Sequence, residues 1–330
     1  MGKIQQSKIL VIGSSNTDMV IKTNHLPRAG ETVIGGTFFM NPGGKGANQA
    51  VAIARLGGSV SFICKTGNDI FGHQSKQLFE KEGIDTSYIF SDDENPSGVA
   101  LITVDDKAEN CIVVASGANA NLLPEDLILV TEAINEADIV LMQLEIPMDT
   151  VVYVADMAFK AGKKVILNPA PAQPLSSSLL QNLYMITPNE TEAEMITGVK
   201  ITDNASAAEA ARAIAAMGVQ YVIITLGAKG ALFYAKESGN IALIPSLKVD
   251  AVDTTAAGDI FNGALAVALS ESNTDMYNIN GEKIIDIKAI ITDAVHFACK
   301  VAAISVTRLG AQSSAPYRNE VDIFCESKTK

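Results

Sequence analysis

The stretch MNPGGKGANQAVAIARLGG, residues 40–58, sets two glycines, a lysine and a third glycine directly ahead of an alanine-rich helix. Glycines let a ligand approach the main chain, and a helix N-terminus offers bare N–H groups, so loops of this kind often hold phosphate. Two phosphate patterns can be tested against it. A P-loop reads G-x-x-x-x-G-K-[ST]. Counted back from Gly44 and Lys45, its first glycine falls on Phe39, and Gly46 stands where a hydroxyl is needed for magnesium. A dinucleotide fingerprint needs G-x-G-x-x-G straight after the first strand. Here KILVIG (8–13) is followed by SSNTD, with no further glycine. Neither pattern is present.

What remains around the loop is a set of polar residues. Asn16 and Asp18 follow the first apolar run, at its carboxyl end, where open α/β sheets bind ligands. Gly43, Gly44, Lys45 and Asn48 lie at the helix start. Carboxylate, amide and ammonium groups pair well with vicinal hydroxyls, and glycines admit a small ring. This chemistry suits a sugar better than a phosphate. The same residues also read as an ordinary turn with a solvated lysine.

Outward from the loop, apolar runs alternate with helical patterns. SVSFICKTG, ADIVLMQLE, KKVILNPAP, LYMITPNE and VQYVIITLG read as strands; FGHQSKQLFEKEG, DTVVYVADMAFKAGK and ASAAEAARAIAAMG read as helices. The alternation predicts an α/β fold, a mostly parallel sheet flanked by helices on both faces. The C-terminal part is mainly helical, with AAGDIFNGALAVALSE and KIIDIKAIITDAVHFACKVAAISVT. Two segments, about 17–41 and 97–116, break the pattern and read as hairpins. Neither is long enough for a domain, so residues 1–330 are expected to form one α/β domain with a small β-sheet lid inserted.

A second loop, VDTTAAGDIFNGALAVAL (252–269), places Ala256, Ala257 and Gly258 just before Asp259 and an apolar helix. Small side chains leave the N-terminal amides open to an anion. Two roles stay open for Asp259. It can offset the positive helix end, or it can serve as a general base that takes a hydroxyl proton during attack on a phosphoryl group.

Composition narrows the classes. The 330 residues carry a formal net charge of −12 without a Lys/Arg run, which argues against nucleic acid and anionic membranes as partners. No apolar run approaches a membrane span of about 20 residues. MGKIQQSKILVIG lacks the apolar region of a signal peptide, and Gln6 breaks the myristoylation pattern. Cys64, Cys111, Cys299 and Cys325 are scattered, without zinc-ligand spacing, as expected for reduced thiols in a cytoplasmic protein.

The two loops together carry a resemblance. NPGGKGANQAVAIARLG and DTTAAGDIFNGAL are similar to the two motifs of the ribokinase-like (PfkB) carbohydrate kinases. LNPAP (167–171), TPNETEAE (187–194), TLGAKG (225–230) and RLGAQSS (308–314) follow in family order, so the likeness runs from residue 8 to about 320. SSNTDMV, AGETVIGG and LMQLEIP resemble the members that act on D-ribose. The resemblance implies ATP-dependent phosphorylation of D-ribose at its primary 5-hydroxyl, with another sugar or a nucleoside (deoxyribose, fructose, adenosine) as the alternative.

It also implies roles. Asn16, Asp18, Gly44, Lys45, Asn48 and Glu145 would contact the sugar, and Asp259 would be the catalytic base. The amides of Ala256, Ala257 and Gly258 would form an anion hole. Asn189 and the loop Thr225, Leu226, Gly227, Ala228, Lys229 and Gly230 would hold ATP, with Gly258, and with Cys299 as apolar packing near the adenine. Glu192 would lie near Mg2+. Asp253, Thr255, Ser305, Arg308, Gly310 and Ser314 match loops that bind K+, several through carbonyls. Apolar residues in the two hairpins (Val20, Ile34, Phe38; Val99, Leu101, Ile112) are more than a thin lid can bury, so a homodimer through the lid is expected.

Overall fold

The computed structural model describes residues 7–107, 109–272 and 286–328, with side chains up to residue 324 in the last helix. The segment MGKIQQ, the start of the last long predicted helix and the Cys325 side chain lie outside the described residues.

The chain begins with β1 (Lys8–Ile12), whose run KILVI is apolar because both of its faces are covered. Ile9 and Val11 point into one core cluster, Leu10 and Ile12 into the other, following the two-residue period of a strand. After β1 come β2 (Asn16–Lys22), β3 (Thr37–Gly43) and α1 (Lys45–Arg55). β4 (Ser59–Gly67), α2 (Ile70–Lys81) and β5 (Ile89–Asp92) follow, then β6 (Gly98–Val104) and β7 (Asn110–Ala115). The middle of the chain holds α3 (Pro124–Ile128), α4 (Thr131–Glu136), β8 (Ile139–Met142), α5 (Met148–Lys160), β9 (Lys164–Leu167), α6 (Ser177–Gln181) and β10 (Met185–Ile186). The last third runs through α7 (Glu190–Thr197), α8 (Asn204–Ala216), β11 (Tyr221–Thr225), β12 (Ala231–Ala235) and β13 (Ile241–Ile244). It ends in α9 (Ala257–Glu271), α10 (Ile287–Ser305) and α11 (Arg318–Lys328).

Nine strands form one sheet in the order β13-β12-β11-β10-β9-β8-β1-β4-β5. From β5 to β11 every pairing is parallel. The simple alternation stops at β11. β12 and β13 return as an antiparallel edge hairpin that the period pattern did not announce. α1, α9 and α10 cover one face through Ile53, Ile260 and Val295; α5, α6 and α8 cover the other through Val151, Leu179 and Ile214. β1 lies between β8 and β4, so strand order reverses there. The loops leaving β1 and β8 therefore splay apart and leave a crevice at the carboxyl ends.

α1 and α9 meet almost backbone to backbone above that crevice. A Cβ on Gly263 would lie 2.7 Å from Ala52 Cβ and 2.9 Å from the Gln49 carbonyl. Asp259, one turn earlier on the same face of α9, is thereby carried up to the start of α1.

The two expected hairpin segments form a separate four-stranded sheet, ordered β3-β2-β6-β7. Register divides its apolar residues between two faces. Met40, Met19, Leu101 and Val113 are directly opposed, as are Phe38, Ile21, Thr103 and Cys111, and this face is exposed. Asp18, Val20, Ala100, Ile112 and Val114 share the other face. The expectation that grouped Val20 and Ile112 with Phe38 and Leu101 is corrected: β-pleat sends them to opposite sides, and Val20 is buried.

Candidate active site

The glycine loop works by close approach. Gly44 has φ of 89°, and a Cβ there would meet the Asn16 nitrogen at 2.7 Å. At Gly43 a Cβ would lie 2.4 Å from both carboxylate oxygens of Asp18, so the missing side chain is what lets Asp18 sit over the loop. The N-terminus of α1 is already taken by the protein's own anion. Glu145 Oε2 accepts the Lys45 backbone N–H at 3.0 Å and the Ser14 hydroxyl at 2.5 Å. A carboxylate at that end satisfies the helix dipole, which leaves little for a phosphate to gain there.

Beside it, Asn48 Nδ2 donates to Asp259 Oδ2 at 2.9 Å and Gln49 Nε2 donates to Oδ1 at 3.1 Å. Asp259 is buried, and burial pushes its carboxyl up, against the pull of Lys45 and the two amides. Burial also pushes Asp18 up, helped by Glu145 and Asp259, to about 6. Burial acts against the Lys45 charge, yet Asp259, Glu145, Glu192 and Asp18 together hold its pKa above the usual value. Asn16 is fixed by Asn119, whose Nδ2 donates to Asn16 Oδ1 at 2.8 Å. Asn48 Oδ1 is buried without a hydrogen-bond partner. A cavity of about 400 Å³ is lined by Asn16 and Glu145 of this set, with Val114, Asn119, Met148 and Gln173 among others; Asp18, Gly44, Lys45 and Asn48 do not line it. All six predicted residues of this end, Asn16, Asp18, Gly44, Lys45, Asn48 and Glu145, are brought together.

A second cavity, of about 360 Å³, lies on the far side of the α9 N-terminus. Thr225, Gly227, Ala228, Gly230, Ala257, Gly258 and Cys299 line it, with Ala251, Ala302, Ala303 and Val306. Small, mostly apolar walls suit a flat ring, and the Ala257 and Gly258 end suits a phosphate chain. This donor set fits a nucleotide. Ala256 holds φ of 58°, the one non-glycine residue with positive φ among the described residues, and so turns the amides that follow it. Burial pushes the Cys299 thiol up to about 12, so it acts as neutral apolar wall. Three residues expected here, Asn189, Leu226 and Lys229, do not line the cavity. Leu226 packs into the core, and Lys229 lies outward, 4.0 Å from Glu190.

Asn189 caps α7 and exchanges bonds with Glu192, whose carboxylate accepts the Asn189 N–H at 2.8 Å and its Nδ2 at 2.9 Å. Burial raises the Glu192 pKa against that backbone bond and Lys45. Asp253 joins two loops. Its Oδ1 accepts from Thr255 N and Oγ1 at 2.9 and 2.6 Å, and its Oδ2 from Gly310 N at 2.8 Å. Burial opposes these bonds but they hold its pKa below the usual range. The hydroxyls of Ser305 and Ser314 are instead donated to the carbonyls of Ala302 and Ala311, each at 2.8 Å, and Arg308 pairs with Glu320 at 2.9 Å. Sequence reading missed Ser14, Gln49, Asn119, Gln143 and Asn168; the one signal was a polar Asn-Gln pair inside the buried run GANQAVAIA.

Residues 6–318 match the family profile described as pfkB family carbohydrate kinase. A ribokinase of Haemophilus influenzae is 46% identical over 319 residues, covering 96% of this chain and 98% of that one. A deoxyribokinase of Salmonella typhi is 37% identical, over 93% of this chain and 95% of its own. The structure of Arabidopsis thaliana ribokinase complexed with ribose and ATP superposes with a TM-score of 0.86 at 30% identity, covering 96% of this chain and 98% of that one.

The buried carboxylates leave a mark on stability. Asp18 keeps its proton up to about pH 6 in the folded chain, and releases it near about pH 4 when unfolded. Between these values the folded chain binds more protons, so stability falls as pH rises through the window and stays lowest above it. Asp18→Asn is expected to raise stability at neutral pH by about 1–3 kcal/mol and to reduce the loss between about pH 4 and 6. Urea midpoints at the two ends of the window check this. An unchanged midpoint at neutral pH would show that Asp18 is not held at a cost.

Proposed function

The chain belongs to the pfkB family of carbohydrate kinases, and on that premise we propose that it transfers the γ-phosphoryl group of ATP to the 5-hydroxyl of D-ribose, giving D-ribose 5-phosphate and ADP. The observation that carries this reading is the station of Asp259. It follows Gly258 of the second cavity directly, is bonded to Asn48, and interacts electrostatically with Asp18 and with Glu145, which lines the first.

In this reading Asn16, Asp18 and the unpartnered Asn48 Oδ1 hold the sugar hydroxyls. Asp259 takes the proton of the primary hydroxyl as its oxygen attacks the γ-phosphorus, and ADP leaves on the opposite side. A raised carboxyl pKa makes Asp259 a stronger base than a solvated aspartate. Charge growing on the phosphoryl oxygens meets the helix end and the Ala256–Gly258 amides, of which Ala257 N–H would exchange its 3.2 Å bond to the Thr254 carbonyl for the anion. Lys45 offsets the surrounding carboxylates, so negative groups can gather without expelling one another. Mg2+, when bound, neutralises phosphate oxygens. Its ligands would be mainly those oxygens, with Glu192 nearby, because no cluster of three or more His, Cys, Asp or Glu side chains built for a metal occurs among the described residues.

The four-stranded sheet serves as a lid on a single α/β body, excluding water that would compete as nucleophile. A nucleoside substrate is disfavoured, since among the described residues no aromatic side chain lines the cavity at Asn16 and Glu145 for a base to stack on. No helix among the described residues is long and apolar enough to cross a membrane, and free Cys64, Cys111 and Cys299 fit a cytoplasmic setting. ATP consumption measured in parallel with D-ribose, deoxyribose, fructose and adenosine tests the substrate; D-ribose should be preferred.

Asp259→Asn should cut turnover by roughly 10²–10⁴-fold while leaving sugar affinity within a few-fold, as read by steady-state kinetics and calorimetry. Near-normal turnover would assign Asp259 to helix support alone.

The exposed lid face of Ile21, Phe38, Met40, Leu101 and Val113 is large for a thin sheet, and a second copy would cover it. Light scattering at micromolar concentration should give a dimer; a monomer would count against this arrangement.

A K+ ion is proposed at the junction of the Asp253–Thr255 and Arg308–Gly310 loops, its oxygen donors suiting a weakly hydrated ion. With both Asp253 oxygens already hydrogen-bonded, main-chain carbonyls would supply most ligands. Turnover should rise when K+ replaces Na+ at constant ionic strength, and Asp253→Ala should remove that response. Equal rates in Na+, K+ and a bulky organic cation would leave Asp253 a loop tie only.

A further inference from the structure

Behind Asp259 lies a chain of neutral side chains that the phosphoryl transfer does not use. Gln49 Nε2 donates to Asp259 Oδ1 and to Asn168 Oδ1, each at 3.1 Å, and Gln49 Oε1 accepts from Gln143 Nε2 at 2.6 Å. Asn168 Nδ2 reaches the Thr187 carbonyl at 3.5 Å. Thr187 Oγ1 donates to Asn262 Oδ1 at 2.6 Å, and Asn262 Nδ2 donates to the Gly258 carbonyl at 2.8 Å. All of these side chains are buried. Gln143, Asn168 and Thr187 stand just past the ends of the neighbouring strands β8, β9 and β10, while Gln49 lies on α1 and Asn262 on α9.

The order of donors and acceptors admits one arrangement at Gln49. Turned over, its carbonyl would face the Asp259 carboxylate and the Asn168 carbonyl, and acceptors would meet with no proton between them. Gln143 opposes that by presenting its NH2 to Gln49 Oε1. Gln143 Oε1 in turn is buried with no partner, and lies where a Cβ on Gly13 would come within 2.0 Å. The unsatisfied oxygen is thus held one residue away from the reacting carboxylate, and the donor is aimed at it. Core packing alone would be served by apolar side chains, without leaving a buried oxygen unpaired.

We infer that Gln49, oriented by Gln143 and Asn168, is a positioning residue for Asp259, which with Asn48 clamps the carboxylate at both oxygens and keeps it ionised and turned toward the sugar hydroxyl. The inference rests on Asp259 being the base. The charged groups that face Asp259 are Lys45 from α1, Glu145 after β8, Glu192 from α7 and Asp18 from β2. None of them is altered in the variants below.

The test uses the full chain with D-ribose, saturating ATP and Mg2+, and kcat and KM measured across pH. Gln49→Met should lower kcat roughly tenfold or more, change the sugar KM by less than about threefold, and move the acid limb of the kcat profile to higher pH, because a carboxylate that loses a donor is harder to ionise. Gln143→Met, which does not touch Asp259, should shift both in the same direction to a smaller extent, and the double variant should lose less than the product of the two. A folded Gln49→Met with unchanged kcat and acid limb would overturn the inference, as would a loss of kcat with the limb unmoved. Should Gln49→Met not fold, Gln143→Met is read by the same criteria. Asp259→Asn separates the two claims: if it stays active the base assignment fails, and if it is inactive while Gln49→Met is normal only the positioning role fails.

Discussion

The close approach of α1 and α9 is the constraint on which the rest of the site depends. Gly263 on α9 lets that helix settle against Ala52 and the Gln49 carbonyl of α1. Because Asp259 is one turn from Gly263, the same contact delivers its carboxylate to Asn48 and Gln49. Two loops more than two hundred residues apart become one chemical site through a backbone packing distance. The sheet below supplies the reference frame, since α1 follows the loops after β1 and α9 lies on the same face of the sheet. A side chain at position 263 would separate the helices and, with them, Asp259 from Asn48 and Gln49.

The second governing feature is charge held out of water. Asp18, Glu145, Glu192 and Asp259 share one buried cation, Lys45. Burial first, and neighbouring carboxylates second, raise the pKa values of Asp18, Glu192 and Asp259, while Lys45 pulls against the rise. The fold tolerates the arrangement because neutral donors hold the carboxylates in place: Ser14 on Glu145, Asn189 on Glu192, Asn48 and Gln49 on Asp259. In the proposed reaction, an arrangement that weakens the folded state near neutral pH would supply a carboxylate poised to accept a proton. The two helix N-termini also divide the work. That of α1 is closed by Glu145, so it has little left to offer an anion. That of α9 carries no side-chain cap and follows a strained Ala256, and its Ala257 N–H donates to the Thr254 carbonyl at 3.2 Å.

Much of this was legible along the chain. Apolar alternation gave the parallel sheet with helices on both faces, because strands buried on two sides must be continuous apolar runs. The hairpin segments were located to within a few residues, since β-branched alternation and turn residues are local properties. The two loops of small residues ahead of helices, and Asp259 in the first turn of the second, were visible in the chain, while their roles came only from the resemblance to the kinase family. Three things escaped. The β12–β13 edge returns antiparallel, which the composition of two short runs does not encode. The sidedness of the lid was misread, because β-pleat depends on register with partner strands. Leu226 and Lys229 lie in a matching loop, yet one packs inward and the other faces out.

The sequence by itself determined the elements and the chemical inventory: where strands and helices run, which loops are bare, and which carboxylates and amides stand beside them. Those are set by local sterics and by the period of apolar residues. The tertiary structure alone decided what each polar group does. Gln49, Gln143 and Asn168 sit on a helix and after two strands and look like isolated polar residues in apolar surroundings. Only packing turns them into an ordered line of donors and acceptors ending on Asp259. The reason is that a hydrogen bond needs its partners within about 3 Å and correctly oriented. Residues far apart in sequence meet that condition only after the core has closed around them.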